Sequence, residues 1–435
     1  MSLYYLLLRG WLHLGSSPFF IRSLSVVISL ATLPAIFWLA SQLFDRRVAL
    51  LAVALMSFNA FHIRYAQEAR SYSLFVLLAI LSSGFFVATL REPSRGNRAG
   101  YVLASVLAVY AHLYALLLLA AQWLSVRGAK ERARSRPLRQ IWIWIAVASL
   151  PLIVFAAKTG AGPIRWIQRP GFRDILHFME QLAGNDGFLL LVLYAAACLA
   201  AIMPCEGKIK LFRTQARADS WSIRFLLICL LFPPALILML SLARPLFLGR
   251  YFIFCLPPLV ILAAAGLAKL RSPWPLGVAL GIMLLLSLQG TFSYYDHDFD
   301  LQRDGSEAAV SYILDHAQPG DAILFHIAEA RVPYEFFKSL REKASPAVSA
   351  AEPEIIYPRH GDHLDYRDFS GKPTSPFVHS IPGRYSRVWV VLMSNQAYGH
   401  PDPTTLMLNR ILGESFPRLE EAQFSQVEVR VYSKP

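Results

Sequence analysis

Acidic residues are scarce in the first two thirds of this 435-residue chain. Residues 1–291 contain 9 Asp/Glu against 28 Lys/Arg, whereas residues 292–435 contain 20 against 14. The basic excess, which gives the whole chain a net charge of +13, lies in short loops between apolar segments, where membrane topology selects Lys and Arg. This placement argues against a nucleic-acid partner.

Cysteine is also rare. The four cysteines all lie in or beside apolar segments, and neither a disulfide framework nor a zinc pattern follows from Cys198, Cys205, Cys229 and Cys255. Residues 292–435 contain no Gly-rich phosphate loop, catalytic triad or metal motif. The sequence therefore indicates no metal ligands and requires no cofactor, although binding of a divalent metal is left as an open alternative. We also expect no cleavable signal peptide, because the chain begins directly on an amphipathic run at residues 3–14.

The abundant residues are apolar. They make up 55% of the chain, against 16% charged residues, which is too apolar for a soluble protein of this length. Because about 20 helical residues cross a bilayer core, the apolar stretches predict spans at residues 19–44, 48–63, 72–90, 141–157, 188–203, 221–243, 252–268 and 275–291. Residues 101–126 are interpreted as two short helices that are interrupted at residues 111–114. The prediction is a polytopic bundle of about ten spans.

With ten spans, the loops alternate in charge. One side collects 17 Lys/Arg and is cytoplasmic by the positive-inside rule. The other side receives residues 67–71, the interruption at His112, the loop 158–186, residues 244–251 and everything after residue 291. We therefore expect a multi-pass protein of a bacterial-type inner membrane, with a membrane domain at residues 1–291 and an extracytoplasmic domain at residues 292–435.

Residues 292–435 have the pattern of a small α/β domain. Helices are expected at residues 306–316 and 333–343, and strands at 322–327, 387–393 and 427–432, with residues 345–386 as loop. A docking or lid domain is the plainer interpretation of this region. The predicted fold class is thus mainly α, a membrane helical bundle with a C-terminal α/β domain.

Charged residues at the outer ends of spans are candidates for function because they are costly near a membrane. Glu68 lies beside Arg70 and Tyr72, which combines an acid, a base and a phenol in one outward turn. A Glu-Arg pair that only caps a helix would have the same pattern.

Basic residues on the outward side are exceptions to the positive-inside rule, which places most Lys and Arg in cytoplasmic loops. Arg165 and Arg169 lie in one outward loop, and Arg250 and Tyr251 lie at another boundary. Guanidinium groups suit a phosphate leaving group by charge and donor geometry, although anchoring to lipid head groups explains such residues nearly as well. His112 could serve a substrate hydroxyl or a metal, or could simply be hydrogen-bonded.

Several strings resemble a known family. They are LYYLLLRGW at residues 3–11, FFIRSLS at 19–25, FHIRYAQEARSY at 61–72, YAHLY at 110–114, GRY at 249–251, PGD at 319–321 and RVPYE at 331–335. Together they resemble the family 39 type of GT-C glycosyltransferases, relatives of the protein O-mannosyltransferases and the lipid A aminoarabinose transferases.

The resemblance implies a GT-C fold with an active site at the outer leaflet, a polyprenyl-phosphate sugar donor and inversion of the anomeric centre. By this resemblance, Glu68 and Arg70 lie at the cavity wall and order the acceptor or the sugar, and His112 and Tyr114 face the same cavity. The expected catalytic residues are Glu68, Arg70 and His112, and Tyr72 and Tyr114 are expected to bind substrate. Arg250 and Tyr251, with Arg165 or Arg169, hold the lipid phosphate. The acceptor is a protein, a lipid or a glycan.

The chain departs from the family pattern at its start. The family places its base, an Asp, in a first external loop after a first span, and the sequence begins at residues that follow that loop. The expectation is either a start assigned too late or an inactive relative. Two other classes stay open: a transporter of lipid-linked sugars, for which no internal repeat is found, and a non-catalytic protein that binds the lipid carrier.

Overall fold

The computed structural model describes residues 2–127, 138–159, 167–184, 187–203, 220–270, 272–299, 305–344, 351–358, 371–393, 396–397 and 400–435. The chain divides into two compact units, Met1–Tyr294 and Tyr295–Pro435. The sequence placed this boundary at residues 291/292. Arg165 lies outside the described residues.

The first unit is helical. Its α-helices are α1 (Ser2–Trp11), α2 (Pro18–Leu43), α3 (Arg46–Phe58), α4 (Ala60–Ala66), α5 (Tyr72–Arg91), α6 (Arg95–Ala111), α7 (Ala115–Ser125), α8 (Leu138–Thr159), α9 (Phe172–Ala183), α10 (Phe188–Ile202), α11 (Ser220–Ser241), α12 (Leu256–Ala268) and α13 (Pro273–Ser293). A 3₁₀ segment, Gly249–Cys255, leads into α12.

Short polar side chains begin several of these helices. Ser17, Asp45, Asn59 and Ser94 each accept a hydrogen bond from a backbone N–H in the first turn of the following helix. Such caps satisfy donors that the helix itself leaves unpaired. The Asn59 cap also explains a difference from the sequence prediction, because it starts α4 at an angle of 61° to α3. The span expected at residues 48–63 is therefore bent.

Six helices among the described residues are long and apolar enough to cross a membrane, or eight if each bent pair is one span. The pairs are α3 with α4 and α9 with α10. The expected count of ten also includes α6 and α7, which have 17 and 11 residues. Eleven helical residues cover about 17 Å at 1.5 Å per residue, so α7 alone is too short for a hydrocarbon core of about 30 Å.

The central helices are those that bury most of their surface. In the most apolar stretch of each span, 72% of α5 and 89% of Gly249–Ala268 is buried, whereas α8 buries 17%. Apolar side chains on α8, α11 and α13 remain exposed, as at Trp144, Met239 and Leu285. Such exposure suits contact with lipid. The polytopic helical bundle predicted from the sequence is confirmed.

Two contacts hold α12 against α10. A Cβ atom added to Gly266 would lie 1.8 Å from the carbonyl oxygen of Ala197, so the two backbones approach as closely as small residues permit. The ammonium of Lys269 donates to the carbonyls of Ala200, Ala201 and Met203 at 2.8–2.9 Å. A cation in this position satisfies the last carbonyls of α10 and complements its dipole.

The second unit contains a five-stranded sheet of order β2-β1-β3-β7-β6. Its strands are β1 (Ala322–His326), β2 (Glu354–Tyr357), β3 (Arg387–Met393), β6 (Arg418–Phe424) and β7 (Val427–Ser433), beside a small pair formed by β4 (Gln396–Ala397) and β5 (His400–Pro401). Strands β1, β2 and β3 are parallel, whereas β7 is antiparallel to both of its neighbours. The helices are α14 (Ser306–His316), α15 (Arg331–Ala344), α16 (Ser375–Ser380) and α17 (Pro403–Ser415).

Apolar residues fill both faces of this sheet. Phe325 and Trp389 belong to the cluster that includes Ile313 of α14, and Leu324 and Val390 belong to the cluster that includes Leu408 of α17. The α/β class is confirmed. The loop expected at residues 345–386 is wrong in part, because it contains β2 and α16, and α17 and β6 were missed. Strand β2 and helix α16 are short, and β6 exposes most of its residues. Helix α17 did carry a signal, because its buried residues Leu408, Ile411 and Leu412 follow a helical spacing.

A polar cluster lies at the carboxyl end of β1, where His326 and Asp402 are buried and Lys372 is exposed. The imidazole Nε2 of His326 is 2.9 Å from Oδ2 of Asp402, and the ammonium of Lys372 donates to Oδ1 at 3.0 Å. Asp402 also caps α17 by accepting from the backbone N–H of Thr404. Although burial opposes it, these bonds hold the pKa of Asp402 down to about 2. The cluster thus ties α17 to the sheet.

Candidate functional site

The turn at residues 67–71 joins α4 to α5 and carries Glu68 and Arg70. Ser25 of α2 donates to the carbonyl of Glu68 within the turn at 2.6 Å, and Ser73 of α5 donates to the carbonyl of Tyr65 at the end of α4 at 3.0 Å. Tyr4 of α1 hydrogen-bonds to Ser25 at 2.7 Å. Three helices therefore fix the position of this turn.

Glu68 lies in the field of four guanidinium groups. Burial raises the pKa of its carboxyl, and the positive charges of Arg70, Arg250, Arg64 and Arg22 act in the opposite direction. Oε2 of Glu68 lies 3.9 Å from Nε of Arg70. Among the described residues, Oε2 is buried and accepts no hydrogen bond. We call Glu68 and these four arginines the arginine cluster, which carries a net positive charge.

The interruption between α6 and α7 is built around His112. The backbone N–H of Tyr114 donates to Nδ1 of His112 at 3.2 Å, while the hydroxyl of Tyr114 donates to the carbonyl of Leu246 at 2.6 Å. Because Nδ1 accepts, the neutral ring has its proton on Nε2. Within the described part of the chain, Nε2 is buried without a hydrogen-bond partner. His112 thus offers one buried donor.

Aromatic rings connect this interruption to the other candidate residues. The ring of His112 lies 4.9 Å from that of Tyr251, 5.4 Å from Tyr114 and 6.2 Å from Tyr72, measured between centroids. It also stacks on Phe75 at 4.9 Å. Tyr72 in turn interacts electrostatically with both Arg250 and Arg70. Tyr72 therefore links the arginine cluster to the aromatic rings around His112.

An open cavity of about 380 Å³ adjoins Arg250. It lies between α9 and the start of the 3₁₀ segment, and its lining comprises Tyr65, Ile167, Gln168, Arg169, Pro170, Asp174, His177, Phe178, Gln181, Phe247, Leu248, Gly249 and Arg250. We call it the α9 cavity. Arg250 and Tyr65 belong both to this wall and to the surroundings of Glu68, so the cavity and the arginine cluster are neighbours.

The structure brings most of the sequence-predicted residues together. Seven of them form one group, namely Glu68, Arg70, Tyr72, His112, Tyr114, Arg250 and Tyr251, and Arg169 lies in the adjacent cavity. The sequence prediction missed Arg22, Arg64, Tyr65, His177 and Gln181. Arg22 and Arg64 carried a usable signal, since a guanidinium at the end of an apolar span is unusual.

Helix α9 was not predicted, because residues 158–186 had been interpreted as loop. The stretch did carry a usable signal, because Ile175, Phe178 and Leu182 recur at helical spacing. The helix begins where the carboxylate of Asp174 accepts from the N–H of Gly171 at 2.7 Å, and ends at Gly184, whose φ is 101°. Both are ordinary signals for the ends of a helix.

Metal ligands do not cluster in the part of the chain that the structure describes. No group of three or more His, Cys, Asp or Glu side chains there could hold a metal ion. The described side chains of the site and the adjoining cavity present guanidinium groups, the carboxylates of Glu68 and Asp174, the imidazoles of His112 and His177, and several phenols. These groups can bind a phosphate and accept a proton.

No protein-family model matches this sequence, and no curated protein matches it. Solved structures do. ArnT from Cupriavidus metallidurans in the apo state is similar with a TM-score of 0.56 and 11% identity, over 94% of this chain and 83% of that one. ArnT bound to undecaprenyl phosphate is similar with a TM-score of 0.56 and 11% identity, over 95% and 84%.

A third similarity is to the arabinofuranosyltransferase AftD from Mycobacteria, with a TM-score of 0.48 and 14% identity over 94% of this chain and 33% of that one. The assignment of the fold rests on the two ArnT structures, which this chain matches over nearly its whole length. The chain has the GT-C glycosyltransferase fold.

Proposed function

We propose that this protein is a membrane glycosyltransferase, which moves a sugar from a polyprenyl-phosphate donor to an acceptor on the extracytoplasmic side with inversion. The observation that carries the proposal is the arginine cluster, in which the charges of four guanidinium groups act on one carboxylate and Arg70 lies 3.9 Å from it. Support also comes from the similar fold of ArnT, one of whose structures is bound to undecaprenyl phosphate.

The arginine cluster suits a phosphate leaving group. Guanidinium groups donate to phosphate oxygens with matching charge and geometry, and charge stabilisation of a leaving group acts most strongly where water is excluded. Arg250 is placed best for this role, because it borders both Glu68 and the α9 cavity. The Nε2–H of His112 supplies a further donor beside Tyr251.

Direct displacement also needs a proton acceptor. The acceptor hydroxyl attacks the anomeric carbon, the bond from that carbon to the phosphate oxygen breaks, and the hydroxyl proton passes to a base. We assign the base to Glu68, whose Oε2 is buried and accepts no hydrogen bond among the described residues. Its raised pKa suits a base. Arg70 positions this carboxylate, and the rings of Tyr72 and Tyr251 pack against His112.

The experiment is release of radiolabelled sugar from a set of polyprenyl-phosphate donors by the purified protein. Arg250→Ala should lower turnover by about 10²–10³, the usual effect of removing one charge-stabilising donor. Arg244→Ala is the matched control, because this exposed arginine lies six positions earlier at the same boundary, and it should leave turnover unchanged.

Normal turnover by Arg250→Ala would remove Arg250 from the site. If the wild-type protein binds donors without releasing sugar, the proposal of catalysis fails and a protein that binds the lipid carrier takes its place.

A further inference from the structure

The α9 cavity has two kinds of wall. On one side Asp174, His177 and Gln181 follow one another at spacings of three and four residues, which places them on one face of α9. Phe178 lies on the same face, and its ring packs against Phe247 with 5.5 Å between centroids. The side chains of Gln168 and Arg169 complete the polar wall.

This combination fits a sugar ring. Amide and imidazole groups both donate and accept hydrogen bonds, as hydroxyl groups require, and aromatic side chains supply an apolar wall. The volume of about 380 Å³ falls within the usual range for small-molecule sites. The cavity also shares Arg250 with the arginine cluster. A sugar that is joined to a phosphate held by Arg250 would therefore reach this cavity through a single bridging oxygen.

The charges of the cavity lining restrict which sugars can bind. Arg250 is paired with the phosphate of the bound donor, so Arg169 is the guanidinium left facing the sugar. Asp174 is the one carboxylate among the described residues of the lining, and at the start of α9 it accepts a hydrogen bond from the N–H of Gly171 at 2.7 Å. An ammonium group on the sugar would meet the like charge of Arg169, and like-charge juxtaposition disfavours a ligand.

We infer that the α9 cavity binds the sugar of the donor and selects sugars without an amino group. The inference rests on the proposed function, since it takes the lipid phosphate to lie at Arg250. It adds the chemical class of the sugar and assigns its selection to Arg169, together with the polar face of α9.

The test uses matched pairs of polyprenyl-phosphate donors that differ only in one amino group, such as glucose and glucosamine, mannose and mannosamine, and arabinose and aminoarabinose. Binding is measured by competition against labelled polyprenyl phosphate, and turnover by sugar release. For whichever ring is accepted, the neutral sugar should bind at least about 10-fold more tightly than its amino counterpart, a difference of about 1.4 kcal/mol.

A charge reversal makes the test specific for the cavity. Arg169→Glu should shift the preference toward the amino sugar, and Arg169→Gln should give an intermediate preference. Arg173→Glu is the control, because it makes the same change at an exposed position of α9 outside the described lining, and it should leave the preference as in the wild type.

The outcomes separate the two proposals. A preference for the amino sugars, or the same shift with Arg173→Glu as with Arg169→Glu, would overturn the assignment of the cavity while sugar transfer itself stands. Selective binding without sugar release would instead overturn catalysis and leave the cavity as the sugar site. Equal binding of both members of every pair would overturn the selectivity.

Discussion

At the scale of a single residue, two opposing effects act on the pKa of the Glu68 carboxyl. Partial burial raises the pKa of its carboxyl, whereas four arginines act to lower it, and the net direction is upward from the ordinary value of 4.5. In the proposed mechanism only the ionised carboxylate can take a proton. The activity of the protein should therefore depend on the ionisation of this group.

We expect kcat/KM to fall at acidic pH, with a midpoint above 4.5. The sign follows from the shift: below the raised pKa Glu68 is protonated and cannot act as a base, and above it the base is available. Glu68→Gln should lower turnover by about 10²–10⁴, the range for loss of a general base, and should remove the acidic limb of the profile. An acidic limb that persists unchanged in this variant would assign it to another group.

At the scale of the elements, the contact between α10 and α12 carries the clearest expectation. Gly266 lies where a Cβ atom would meet backbone rather than a flexible side chain, so the neighbouring helix must move to make room. Close backbone contact of this kind is how small residues allow membrane helices to pack.

Gly266→Ala should therefore destabilise the protein by about 1–3 kcal/mol, as overpacking does in well-packed interiors. The measurement is the midpoint of thermal unfolding in detergent. Gly281→Ala on α13 is the control, because nothing lies within 4 Å of the added Cβ atom; there the better helix propensity of Ala should leave the midpoint equal or slightly higher. Equal midpoints for the two variants would contradict the close approach.

At the scale of the whole molecule, the orientation in the membrane stays a proposal. The positive-inside rule puts the loop at residues 91–98 in the cytoplasm and residues 292–435 outside. The proposed reaction requires the same orientation, because the arginine cluster then lies toward the outer leaflet.

Labelling of single cysteines tests this orientation. Glu420 lies exposed on β6 and Arg95 lies exposed at the start of α6. In intact cells, a membrane-impermeant maleimide should label Glu420→Cys and should label Arg95→Cys only after the membrane is opened, with the unsubstituted protein as the blank for its own cysteines. The reverse pattern would invert the topology and place the proposed site on the cytoplasmic side.

The amino-acid sequence was enough to predict which segments are helical and apolar, and that an α/β region follows them. Long apolar runs must hydrogen-bond their own backbone in lipid, so span-length helices could be predicted from run length alone, as at α2, α5 and α11. Strands β1, β3 and β7 could also be predicted, because each is a short segment rich in apolar residues with clear ends. The short helix α16 and the exposed strand β6 were not predicted, because their apolar pattern is weak. Helix α9 was also missed, although its apolar residues recur at helical spacing.

The proximity of the candidate side chains, in contrast, comes from the packing of the helices. Glu68, His112 and Arg250 are far apart in sequence, and they lie together because of the bend at Asn59, the interruption after α6 and the 3₁₀ segment before α12. Packing angles between helices are not encoded in the period of any one helix. The α9 cavity also depends on tertiary packing, and one of its walls is a helix in a stretch that the sequence prediction had assigned to a loop.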